Sequence, residues 1–204
     1  MEKKGRLADV KHSKIRNLLV LLLVASITYN FYMFYDNKHS IKQEQRRNQS
    51  GLGFISVLGK NIAGRLEEFL DHSHGVENEE ARELLYNSWR IVQGESRSVS
   101  TELSIMSPRY MGELEPKWSL LQYSLIRIDQ FIYGLNLKFL EQRSYSINDE
   151  ETEKLKAVIT IYTKINEEVN KENNNSVLVI DSLTEQMKII DEYYAMTLER
   201  VNQD

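Results

Sequence analysis

The chain of 204 residues has no cysteine, only two prolines, and only four histidines. Without cysteine there is no disulfide, no thiol nucleophile and no thiolate metal ligand. A domain of this kind placed outside the cytoplasm must rest on its core alone, and the residues after Tyr35 are numerous enough for one sizeable core. Both prolines, Pro108 and Pro116, fall in a single loop, so the rest of the chain is free of helix breakers. Phosphate-binding glycine loops, H-E-x-x-H and G-x-S-x-G are all missing. No catalytic constellation, cofactor site or metal site is expected, and the chain is not read as an enzyme.

The histidines are scattered. His12 and His39 stand apart, and only Asp71–Gly75, "DHSHG", brings two together. An i,i+2 pair on a helix points to different sides, so a solvated helix end is preferred to a metal site there. The acidic runs "ENEEARE" and "NDEETEK" sit at helix starts, where the helix dipole accounts for them.

What the chain does have is one long apolar run. Leu18–Tyr35 is 18 residues without a charge. At about 1.5 Å per residue it spans ~27 Å, close to a ~30 Å hydrocarbon core. Tyr29, Phe31, Tyr32, Phe34 and Tyr35 crowd its far end, where amphipathic rings favour the headgroup zone. A cleaved signal would end in small residues of A-x-A type; Val24-Ala25-Ser26 is the one candidate, and apolar character resumes after it. An uncleaved anchor is therefore preferred to a cleaved signal or a buried helix of a soluble fold. Asn30 is the residue hardest to hide in lipid and could hydrogen-bond to another membrane helix.

Orientation follows from the flanks. Residues 1–16 hold six basic and two acidic side chains, a net +4, and Asp36–Ser50 holds four basic ones. This bias places the N-terminus in the cytoplasm. The total of −4 leaves −8 after Tyr35, which argues against nucleic acid as a partner.

The remainder keeps a 3-4 apolar spacing almost throughout, the mark of amphipathic helices. A first segment over 49–72 carries Leu52, Ile55, Leu58, Ile62, Leu66 and Phe69; its glycines 51, 53, 59 and 64 imply either close packing or flexibility. A second, from Asn78 to about Met106, has the seam Leu85, Trp89, Val92, Ser96, Val99, Leu103 and Met106, with Ser96 its polar member. A third runs from Pro116 to about Arg143, with the seam Trp118, Leu121, Leu125, Ile128, Ile132, Leu135 and Phe139. A fourth opens on a capping box, Asn148 with Glu151, and carries Leu155, Val158, Tyr162, Ile165 and Val169. After the turn at Asn173–Asn175 a fifth, from about Ser176, carries Ile180, Leu183, Met187, Ile190, Tyr194, Thr197 and Val201. One of the adjacent Tyr193 and Tyr194 must face away from that seam.

The third helix has a second apolar stripe: Ile126, Tyr133, Leu137 and Leu140. Such a helix is either central among its neighbours, the preferred reading, or presents one stripe to a partner.

The expected fold is all-α: one N-terminal transmembrane helix, then an extracytoplasmic antiparallel bundle of four to five helices. The expected organisation is a basic cytoplasmic segment over 1–16, a transmembrane anchor over 17–35, a juxtamembrane linker over 36–50, and the bundle over 51–204. The expected partners are the lipid bilayer and another protein or a second copy. The function expected is that of a membrane-anchored interaction or scaffold protein working through a helix face. The alternative is a ligand-sensing bundle that signals through a partner, with a pocket lined by groups such as Arg127 or Arg90.

Overall fold

The computed structural model describes residues 3–73, 79–107, 115–170 and 178–201. Among these residues there are six helices and no strand: α1 Lys3–Ser73, α2 Glu79–Ile105, α3 Glu115–Gln142, α4 Asp149–Val169, α5 Leu178–Ile190 and α6 Tyr194–Val201. The chain divides into two units, Met1–Glu44 and Gln45–Asp204. The sequence-predicted turns at Gly75, Pro108 and Asn173–Asn175 lie outside the described residues.

The first unit is helical where it is described. It contains a stretch long and apolar enough to cross a membrane, and none of that stretch is buried by this chain. Thr28 returns its hydroxyl to the Val24 carbonyl at 2.9 Å, so its polar group is not left open. Residues 36–50, the expected juxtamembrane linker, are helical throughout. Their composition explains this: Lys, Gln, Glu and Arg dominate, with neither glycine nor proline to stop a helix.

In the second unit the predicted seams are the core. All seven positions of the α2 seam and all seven of the α3 seam are buried. Leu52, Ile55, Ile62, Leu66 and Phe69 of α1 join them, as do Leu155, Val158, Tyr162 and Ile165 of α4 and Leu183, Met187, Ile190 and Tyr194 of the last segment. Leu58 and Val169 are partly buried at the edge. Tyr193 is exposed while Tyr194 is fully buried, the division expected of adjacent residues. The aromatic rings form one chain at an end of the core: Phe69 to Trp89 at 5.1 Å, Trp89 to Phe139 at 4.8 Å and Phe139 to Tyr145 at 5.1 Å between centroids.

Hydrogen bonds between helices give their directions. α2 and α3 are linked by Trp89 Nε1 to Asn136 Oδ1 (3.2 Å), Ser96 Oγ to Asp129 Oδ1 (2.7 Å) and Gln122 Nε2 to the Leu103 carbonyl (3.0 Å). Seven residues up one helix match seven down the other at each step, so the pair is antiparallel with one register. Asn61 donates to Glu95 and Ser88 to Glu68, which makes α1 and α2 antiparallel too. Asn48, buried, holds both backbone groups of Ser107 just past the end of α2: its amide donates to the carbonyl at 2.7 Å and its oxygen accepts from the N–H at 3.1 Å. Asn166 of α4 donates to the Ser56 carbonyl and hydroxyl of α1.

The glycines of α1 separate into two kinds. A Cβ on Gly51 would sit 2.7 Å from Met106 Sδ, and one on Gly59 would sit 2.6 Å from Tyr162 Cδ1. Gly53 and Gly64 face open space. Close packing is thus the role of Gly51 and Gly59 alone.

At the start of α4 the capping box is complete: Asn148 Oδ1 accepts from the Glu151 N–H at 2.8 Å and Glu151 accepts from the Asn148 N–H at 2.9 Å. Lys138 of α3 adds an ion pair to the same Glu151. The last predicted helix, by contrast, is two. It breaks after Ile190, and α6 begins at Tyr194. The Asp191 carboxylate accepts from the Tyr193 N–H at 3.2 Å, a local turn that competes with helix continuation.

Candidate interaction surface

α3 stands at the centre of the second unit, in contact with α2, α5 and α6. Its main seam is spent on the core. One flank, Gln122, Asp129 and Asn136, is spent on α2 through the hydrogen bonds above. Another, Tyr123 and Arg127, is spent on Asp191. The Tyr123 hydroxyl donates to Asp191 Oδ2 at 2.5 Å and the Arg127 guanidinium donates to Asp191 Oδ1 at 3.1 Å. The Asp191 side chain is completely buried, and Tyr194 stacks near the Tyr123 ring at 6.3 Å. Burial pushes the Asp191 carboxyl up, but the bonds from Tyr123 and Arg127 outweigh it and hold it below the usual carboxylate range. The same bond raises Arg127, while burial and then Asp191 raise Tyr123. This knot pins the α5–α6 corner to α3.

What remains uncovered on α3 is the second stripe. Ile126 is 44% exposed, Tyr133 50%, Leu137 41% and Leu140 65%. The preferred sequence reading, that neighbours of the same chain cover this stripe, is not what the structure shows. α3 is central, yet its neighbours engage its other faces. Between Ile126 and Tyr133 lies Gln130, also exposed, whose Oε1 accepts from Arg127 at 2.7 Å. With it the stripe reads Ile126, Gln130, Tyr133, Leu137, Leu140, in alternating steps of four and three. The sequence carried this signal, but an apolar-only tally passes over it because the member at 130 is polar.

Two clefts were candidates for a small ligand. One, of about 480 Å³, is bordered by Arg127, Glu150, Glu153, Lys154, Lys188 and Asp191 among others. Its cations already have partners: Arg127 has Asp191, Lys154 has Glu150 at 2.6 Å and Lys188 has Glu185 at 2.8 Å. The second, of about 420 Å³, lies between α1 and α2 with Asn61, Arg65, Glu68 and Glu95 on its walls. Arg127 therefore lines a cleft as a sensor would require, but as a tie to Asp191, and Arg90 is exposed on α2 away from both.

Among the described residues no group of three or more His, Asp or Glu could hold a metal ion. His72 is exposed and bonds to the Glu68 carbonyl of its own helix; His74 lies outside the described residues. Asn30 is exposed on α1 within the apolar stretch. No protein-family model, no curated protein and no solved structure matches the chain.

Proposed function

We propose that this is a single-pass membrane protein whose N-terminus is cytoplasmic and whose second unit, an antiparallel helical bundle outside the membrane, serves as an interaction or scaffold module. The observation that carries the functional part is the α3 stripe. Four large apolar side chains lie exposed on one face of a helix whose other faces are engaged. A contiguous exposed apolar stripe of this kind marks a contact for another protein. The membrane part is supported by the length and apolar character of the α1 stretch, the aromatic cluster at its end and the basic N-terminal flank. Asn30 has a minor part, as an amide near the interface able to bond to another membrane helix.

The test is Leu137→Glu in the full chain. Leu137 is already 41% exposed, so the charge stays hydrated and helical content by circular dichroism stays at the wild-type level. In a protein interface the same charge is buried without a partner and is strongly unfavourable. The expected result is an intact fold with loss of the products formed by crosslinking in native membranes. A folded variant that keeps every crosslink contradicts the proposal.

A further inference from the structure

We infer that the N-terminal flank of the α1 apolar stretch is a contact for anionic lipid head groups, made by Lys11, Lys14 and Arg16. This rests on the membrane-anchored reading above and names the kind of lipid that the anchor selects.

The six basic residues before the stretch are not equivalent. Residues 1–9 hold Lys3, Lys4 and Arg6 against Glu2 and Asp9, a net +1. Residues 10–17 hold Lys11, Lys14 and Arg16 and no acid, a net +3. The charge is thus concentrated next to Leu18. α1 runs without a break from Lys3 through the stretch, so position in the sequence converts to height along one axis. At about 1.5 Å per residue, Arg16 stands ~3 Å, Lys14 ~6 Å and Lys11 ~10 Å before Leu18. The head-group layer of a bilayer is roughly 5–8 Å deep on each side of the hydrocarbon core. Long basic side chains hold their charged ends in such a layer while their stems cover apolar surface. Lys3, Lys4 and Arg6 stand about 18–23 Å before Leu18, more than a Debye length of ~8 Å beyond that layer.

The other end of the stretch is different. Over residues 36–42, Lys38 and Lys42 stand against Asp36, a net +1. Attraction to an anionic surface grows with each basic residue held near it. Three uncompensated cations at one end, against one at the other, make the preference one-sided. The unbroken helix also decides between a lipid and a soluble acidic partner. It fixes these three charges at the level where lipid phosphates already lie.

The chain has no cysteine, so one introduced thiol takes one label. Asn17→Cys and Asn37→Cys, exposed positions at the two ends of the stretch, are each labelled with a fluorophore. The full chain is reconstituted into phosphatidylcholine vesicles with a minor share of phosphatidylglycerol. Quenching by doxyl-labelled phosphatidylglycerol is compared with quenching by the same amount of doxyl-labelled phosphatidylcholine. The expected result is several-fold stronger quenching by the anionic lipid at position 17 and nearly equal quenching at position 37. In 1 M salt, where the Debye length falls to ~3 Å, the difference at position 17 should shrink. Lys11→Gln, Lys14→Gln and Arg16→Gln together should abolish it. Lys3→Gln, Lys4→Gln and Arg6→Gln together should leave most of it. Equal quenching at position 17 by the two lipids overturns the inference and leaves the membrane reading standing. An anionic preference of the same size at both ends, or the same loss from both triple replacements, overturns the assignment to the three residues. No quenching by either lipid at either position overturns the membrane reading and this inference together.

Discussion

Single residues decide how closely these helices approach. Gly59 of α1 lies against the ring of Tyr162, which is fully buried. Gly64, little more than a turn further on, faces open space. The two glycines are indistinguishable by composition, yet their replacements should act in opposite directions. Gly59→Ala places a methyl within 2.6 Å of Tyr162 Cδ1 and should destabilise the fold by about 1–3 kcal/mol. Gly64→Ala removes a flexible residue from an exposed helical site and should stabilise it by up to ~1 kcal/mol. Urea denaturation of both variants checks the pair; equal shifts of the midpoint would mean that Gly59 is not a packing glycine. The sequence could not separate these roles, because a glycine carries no mark of what stands opposite it. Ser96 was more legible. A lone polar residue in an apolar seam implies a polar partner, and Asp129 is that partner at 2.7 Å.

At the scale of elements, what was legible followed from periodicity. The seams of α2 and α3 are buried at every position that the spacing predicts, and the Asn148–Glu151 capping box forms as its spacing requires. The boundaries missed were those where a long-range contact or the lack of a breaker overrides the local pattern. Residues 36–50 continued a helix because nothing stopped it. The last helix breaks at Asp191, whose carboxylate accepts from the Tyr193 N–H in a local turn and is held there by Tyr123 and Arg127, more than sixty positions earlier in the chain. The α3 stripe was legible as a pattern; its exposure was not, since that depends on where α5 and α6 dock.

The Asp191 knot supplies a pH prediction. A carboxyl held below its unfolded value adds stability in full above the unfolded pKa of about 3.9 and loses it as pH falls through the lower folded value. Asp191→Asn should therefore lower stability at pH 7 by about 1.5–3 kcal/mol, the range for a bond to a charged group. The gap between wild type and variant should narrow below about pH 4. A gap of the same size at pH 7 and pH 3 would show that the ionised carboxylate is not what holds the corner.

For the whole molecule, the division of labour is between an apolar helical stretch that this chain leaves uncovered and a helical unit with a complete core. The second unit needs no disulfide, since buried seams from α1 to α6 meet in one cluster. That same completeness makes the exposed α3 stripe informative, because the core does not require it. The proposed function joins association through that stripe to a chain held in a membrane with the second unit on its outer side. The most direct measurement is protease digestion of intact cells, after removal of any cell wall, followed by carbonate extraction and mass spectrometry of the protected fragment. A fragment that begins at Met1, ends beyond Tyr35 and stays with the membrane is the predicted result. A soluble chain that starts near Ser26, or a second unit that resists protease until the cells are lysed, would contradict the account.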